Sequence, residues 1–153
     1  MIEYIFYFVL WTFILYWIHR AAHANKFLLN YHRDHHKFIS VSLKTKKNQS
    51  TWHWNNLFLF NDTMNSTIDL WLTEVIPTLV FSILTGQWWI SIFYYCWAAI
   101  IQERIEHDIT FDLYPVLTSG KSHLVHHSNP EKNYGLFFPI WDKLFNTFKH
   151  HDS

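Results

Sequence analysis

Nine of the twelve histidines in this 153-residue chain fall into a pattern that could do chemistry. His19 and His23 form an H-x3-H (HRAAH), and nine residues later His32, His35 and His36 form an H-x2-HH (HRDHH). A second H-x2-HH (HLVHH) is made by His123, His126 and His127, and His107 stands alone in QERIEHD. On a helix, residues three and four apart share a face. His19 and His23 can therefore converge on one ion, and His32 can do so with His35 or His36. Adjacent His35 and His36 point about 100° apart, so one box can reach two ions. Imidazole suits Fe, Zn, Cu and Ni alike, so ligand type does not name the metal. Eight or nine nitrogens exceed the need of one ion, and two ions are the natural reading. One H-x2-HH arises by accident in roughly one chain in fifteen of this histidine content, and two copies far less often.

Carboxylates could complete or orient such a site. Glu103 precedes His107 by four residues and would share its helical face; it could ligate, orient an imidazole, or be a solvated charge at a helix end. Asp34, Asp108 and Asp142 are candidates to hold an imidazole N–H, with an ordinary surface carboxylate as the alternative for each. His53, among the tryptophans of TWHW, could line a substrate entrance or belong to an interfacial aromatic belt. His150 and His151 read as a solvated tail.

The elements that must position these residues are apolar helices. Half the chain is apolar and only 16% is charged, below the roughly 25% of average proteins, which points toward lipid. Residues 2–18 carry only Glu3 as a charge and, continued through His19, are expected to span about 27 Å, close to the hydrocarbon thickness. The segment lacks a basic leader and a small-residue cleavage site, so it reads as a retained anchor. Residues 68–84 and 87–101, separated by Thr85-Gly86, are expected to form a helical hairpin entering or crossing the membrane; Asp69, Glu74 and Pro77 weaken its first arm as a span. Between residues 20 and 47 stand Arg20, Lys26, Arg33, Lys37, Lys44, Lys46 and Lys47 against Asp34 alone. The positive-inside rule makes this segment cytoplasmic, and the hairpin returns residues 102–153 to the same side. The three N-x-[ST] sequons, at Asn48, Asn61 and Asn65, would then be unmodified. The fold expected is an all-α integral membrane protein, one domain over 1–153, with a transmembrane helix, a helical hairpin and a cytoplasmic histidine-rich helical cap.

Other signals exclude rather than assign. A formal net charge of zero gives no reason to expect a nucleic-acid partner. Cys96, the single cysteine, allows no internal disulfide and reads as a small core residue. A histidine-rich transporter would carry ligands near the bilayer midplane, yet no histidine lies inside residues 2–18, 68–84 or 87–101.

HRAAH, HRDHH and HLVHH, in that order and beside membrane segments, resemble the fatty acid hydroxylase (sterol desaturase-like) superfamily. The stretch NYGLFFPIWDKLFNTF, residues 133–148, is similar to that family's NYG…WD.LFGT ending, with Asn146 where Gly is usual. The resemblance runs from about residue 10 to residue 148. It implies a non-haem centre of two iron ions that uses O2 and two electrons on an unactivated C–H bond of a lipid. The implied ligands are His19, His23, His32, His35, His36, His107, His123, His126 and His127. Relatives often carry His or Gln where Glu103 stands. The expected function is hydroxylation of a fatty acyl chain or sterol. Desaturation by the same superfamily is the nearest alternative, and a non-catalytic metal-binding subunit is the alternative of another class. No residues remain here for a fused cytochrome b5-like domain, so electrons are expected from an external donor of cytochrome b5 type or another kind. The chain is shorter than most relatives, so a substrate tunnel could need lipid or a second copy in a homo-oligomer. In a eukaryote the endoplasmic reticulum would be the expected membrane.

Overall fold

The computed structural model describes residues 1–44, 53–61 and 63–150, with side chains for all of these except 38–44 and 103. The described residues form eight α-helices and no strand beyond an isolated bridge between Asp112 and Gly120.

Helix α1 runs over Ile2–Ala24, longer than its apolar stretch because the following HRAAHA is itself good helix sequence. Asn25 ends it in an extended conformation (φ −90°, ψ 120°) and starts the next, its Oδ1 accepting from the amides of Phe27 (2.9 Å) and Leu28 (3.3 Å). Helix α2 covers Lys26–Lys44. One residue thus separates the helix carrying the H-x3-H from that carrying the first H-x2-HH, and the two pack together.

The hairpin begins earlier than its apolar stretch suggests. Thr63 caps it by accepting from the Ser66 amide at 3.0 Å, and α3 (Met64–Leu70), a π-helical segment (Trp71–Val75) and α4 (Ile76–Thr85) follow without a break. Pro77, which has no N–H to donate, stands just past the π-helical turn. Asp69 and Glu74 therefore do not shorten the helix; both lie in it and are buried. Gly86 turns the chain in the left-handed region (φ 72°), and the return arm is α5 (Trp88–Cys96), a second π-helical segment (Trp97–Gln102) and α6 (Glu103–Ile105). A Ser91–Ser82 hydroxyl contact of 2.7 Å joins the arms.

Ile2–Ala24 and Met64–Thr85 are each long and apolar enough to cross a membrane. Their inner faces pack with α5 and Phe137 in a core of Trp11, Leu15, Phe81, Ile90, Tyr94 and Phe137, and the Trp11 indole N–H donates to Thr78 Oγ1 at 3.0 Å. Their outer faces leave Ile5, Val9, Leu79, Val80 and Ile83 exposed, an apolar surface suited to lipid. This is the pattern of a membrane protein. The C-terminal end of α1, the start of α3 and the end of α6 come together at one end of the bundle, where α2 crosses them and meets α7 (Lys121–Ser128). Cys96, read as a core residue, is instead exposed.

Candidate metal centre

All nine pattern histidines gather at that end. Eight sort into two groups: His19, His23, His32 and His126 in one, His35, His107, His123 and His127 in the other. Within each group one ligand atom from every residue lies within 4.8 Å of the rest. Both H-x2-HH boxes serve both groups. His32 and His35, three residues apart, diverge by about 60° around the helix and separate, so they do not converge on one ion. His36, a full turn from His32, brings its Nε2 to 3.1 Å from His32 Nε2 and packs its ring 4.4 Å from that of His127, between the groups.

The first group is held from behind. His19 Nδ1 donates to the Tyr134 carbonyl (2.8 Å) and His126 Nδ1 to the Lys132 carbonyl (2.7 Å). His32 Nδ1 lies 2.8 Å from Asp69 Oδ2. A carbonyl or carboxylate partner places the proton on Nδ1 and leaves Nε2 as a lone pair. His23 Nε2 nevertheless contacts both His126 Nε2 (3.0 Å) and His32 Nε2 (2.9 Å), and with at most one proton it can satisfy only one of them. The lone pairs converge with too few hydrogens among them. Such a donor set fits a cation. In the second group, His127 Nε2 lies 2.9 Å from His123 Nε2 and 3.2 Å from His107 Nε2. Burial, reinforced by neighbouring imidazoles, pushes His35, His36, His107, His123, His126 and His127 below the ordinary 6.5. They are neutral near pH 7, the protonation state a metal ligand needs.

The C-terminal motif builds the anchor for His19. Asn133 (φ 56°) donates from Nδ2 to the Ser122 and Lys149 carbonyls at 3.0 and 2.9 Å, fixing the turn that precedes Tyr134. Asp142, fully buried in α8 (Ile140–Leu144), accepts from the amides of Tyr134 (2.7 Å) and Gly135 (2.8 Å) and from the Thr147 hydroxyl (2.8 Å). A Cβ on Gly135 would meet the Phe138 carbonyl at 2.5 Å and Asp142 Oδ2 at 2.8 Å, so only glycine fits there. Asn146 has φ 57°, a conformation Gly adopts freely and Asn tolerates, which accounts for the exchange at that position.

The orienting carboxylates differ from those expected. Asp142 touches no imidazole in these contacts and acts through the Tyr134 backbone. Asp34, on α2, accepts from Asn65 Nδ2 of α3 at 2.5 Å, and Asp108 accepts from the Thr110 amide and hydroxyl two residues on. The side chain of Glu103 lies outside the described residues, as do His151 and the Asn48 sequon. His53 is exposed at the start of a short 3-10 helix (Trp54–Phe58). His150 is half-buried rather than solvated, its ring edge-on to Tyr114 at 5.2 Å.

Asp69, Glu74, Gln102 and Glu106 are buried polar residues near the imidazoles that the histidine pattern does not announce. They line, with His32, His35 and His123, a cavity of about 30 Å³, room for roughly one water-sized molecule and none for a lipid chain. The available signal was the presence of Asp69 and Glu74 inside an apolar helix, since acids in membrane segments face the bundle interior and mark function.

No solved structure matches this chain. Among characterised proteins it is 30% identical over 140 residues to an alkylglycerol monooxygenase of Danio rerio, covering 87% of this chain and 27% of the relative. It is 26% identical over 144 residues to a lathosterol oxidase of Mus musculus (92% and 42%). It is 24% identical over 143 residues to a Delta(7)-sterol 5(6)-desaturase of Aspergillus fumigatus (90% and 36%). The chain thus spans between about a quarter and two-fifths of the length of these relatives. The model of the fatty acid hydroxylase family matches residues 45–147, which takes in His107, the second H-x2-HH and the Asn133–Thr147 scaffold. The chain belongs to the fatty acid hydroxylase family.

Proposed function

We propose that this chain is the metal-binding catalytic domain of an O2-dependent lipid hydroxylase, with two iron ions held by the nine histidines. The observation that carries the reading is the sorting of eight imidazoles into two four-membered groups at the end of helices long enough to span a membrane. Bound iron would supply O2 activation: R–H, O2, two electrons and two protons give R–OH and water. The chain's own contribution is positional. Tyr134, Lys132 and Asp69 hold three imidazoles by Nδ1 and aim their Nε2 atoms inward. Trp11, Phe93 and Phe137 pack ring against ring in the core of the bundle, where close packing leaves no room for water. The small cavity leaves lipid carbon to approach along the apolar bundle rather than fill the polar chamber. The basic residues between 20 and 47 support a cytoplasmic site. In this reading a eukaryotic protein works in the endoplasmic reticulum and takes its electrons from an external donor.

Desaturation is the second reading, supported by the similarity to a sterol desaturase. The test is anaerobic iron loading of the full chain in lipid nanodiscs, followed by chemical reductant, O2 and mass spectrometry of the lipids. Hydroxylation adds one oxygen atom to a lipid, whereas desaturation removes two hydrogens. An iron-loaded chain that consumes no O2 with any acyl lipid or sterol overturns the enzyme reading.

A further inference from the structure

The two histidine groups meet their carboxylates from opposite sides. Asp69 sits behind His32, on Nδ1, where a carboxylate orients an imidazole. Glu106 sits in front of His123: its Oε1 lies 3.7 Å from His123 Nε2, the atom that faces His127 Nε2 at 2.9 Å. Donors bonded to one ion at about 2.1 Å and separated by 90–120° lie roughly 3.0–3.6 Å apart. His127–His123 at 2.9 Å, His107–His127 at 3.2 Å and Glu106–His123 at 3.7 Å all have close to that spacing.

We propose that Glu106 is an oxygen ligand of the ion held by His35, His107, His123 and His127, so that the two metal positions are chemically unequal. The inference rests on the dimetal reading above. The fold prepares Glu106 for this role. Gln102, one helical turn earlier, donates from Nε2 to Glu106 Oε2 at 3.2 Å and to Glu74 Oε2 at 3.5 Å, and Tyr94 donates to Glu74 at 3.1 Å. One amide thus bridges two acids, holds Oε2 and turns Oε1 toward the imidazoles. Electrostatics favours the arrangement as well. Neutral imidazoles leave the charge of two divalent ions uncompensated in a buried site, and an anionic donor in contact with one ion offsets part of it. A carboxylate oxygen is also a harder donor than imidazole, so this ion would differ from its all-nitrogen neighbour.

Titration of the full chain in nanodiscs with Co(II), read by its visible ligand-field bands and by chelator competition, tests the assignment. Wild type is expected to bind two ions. In Glu106→Gln one ion keeps its affinity, and the other weakens at least tenfold with altered bands. Glu3→Gln removes an exposed acid at the far end of α1, and both ions should stay within about threefold of wild type. Cadmium-113 NMR of the wild-type chain needs no variant to fold, and two separate resonances are expected from the unequal donor sets. Two ions bound by Glu106→Gln with wild-type affinity and bands, or coincident cadmium resonances, overturn the inference alone. A wild-type chain that binds fewer than two ions overturns the dimetal reading and the inference with it.

Discussion

His32 and Asp69 join the cap to the membrane bundle: His32 Nδ1 on α2 lies 2.8 Å from Asp69 Oδ2 on α3, and both side chains are buried. The contact fixes the imidazole tautomer and explains an acid near the start of a helix long enough to span a membrane. Asp69→Asn keeps the shape but can present an N–H where an acceptor is required. Metal affinity of the His19, His23, His32 and His126 group should fall about 10- to 100-fold in a chelator competition, with helical circular dichroism unchanged.

Asp142 is a stability residue that reaches the site through backbone. Asp142→Ala leaves the buried amides of Tyr134 and Gly135 without their acceptor. The expected loss is about 2–4 kcal/mol, visible as a lower midpoint in thermal unfolding of the metal-free chain. Metal affinity should fall too, because the Tyr134 carbonyl no longer holds His19 in place.

Asn146 gives a contrasting prediction of small size. At φ 57° glycine is at ease, so Asn146→Gly should be neutral within a few tenths of a kcal/mol, while Asn146→Val should cost about 1–2 kcal/mol. Urea unfolding of the two variants side by side checks the order.

Much of this was legible in the sequence, and the division has physical reasons. Histidine spacing is local, so the boxes and the helices carrying them could be read directly, and the turn at Gly86 follows from a glycine between two apolar runs. Which imidazoles share a group is not local. It depends on the helix-to-helix joint at Asn25 and on the packing of α7 against α2, so His32 and His35 separate although their spacing permits convergence. The carboxylate that meets an imidazole is non-local for a related reason. Asp34, Asp108 and Asp142 stand close to histidines or to the family ending in sequence, whereas Asp69 is 37 positions from the His32 it touches. Polar residues in α3 and its π-helical extension counted against a span when read by hydropathy alone; burial inside the bundle reverses their meaning.

Acid should destabilise the metal-free chain through the same histidines. Their folded values lie below the ordinary 6.5, with burial the first cause for His107, His123 and His127 among others. As pH falls through 6.5 the unfolded chain takes up protons that the folded chain refuses, so stability present above 6.5 is lost progressively below it. Chemical unfolding at pH 7.5 and 5.5 should show the lower stability at 5.5. Bound metal should release at acid pH, as protons compete for the freed imidazoles.

Iron stoichiometry bears most directly on the central claim. The purified full chain, loaded anaerobically with Fe(II), freed of loose metal and analysed by plasma mass spectrometry, should retain two irons per chain. His126→Ala, which removes one ligand from the first group, should retain one. A wild-type chain that retains one iron or none, at protein concentrations where it remains folded, would contradict the account.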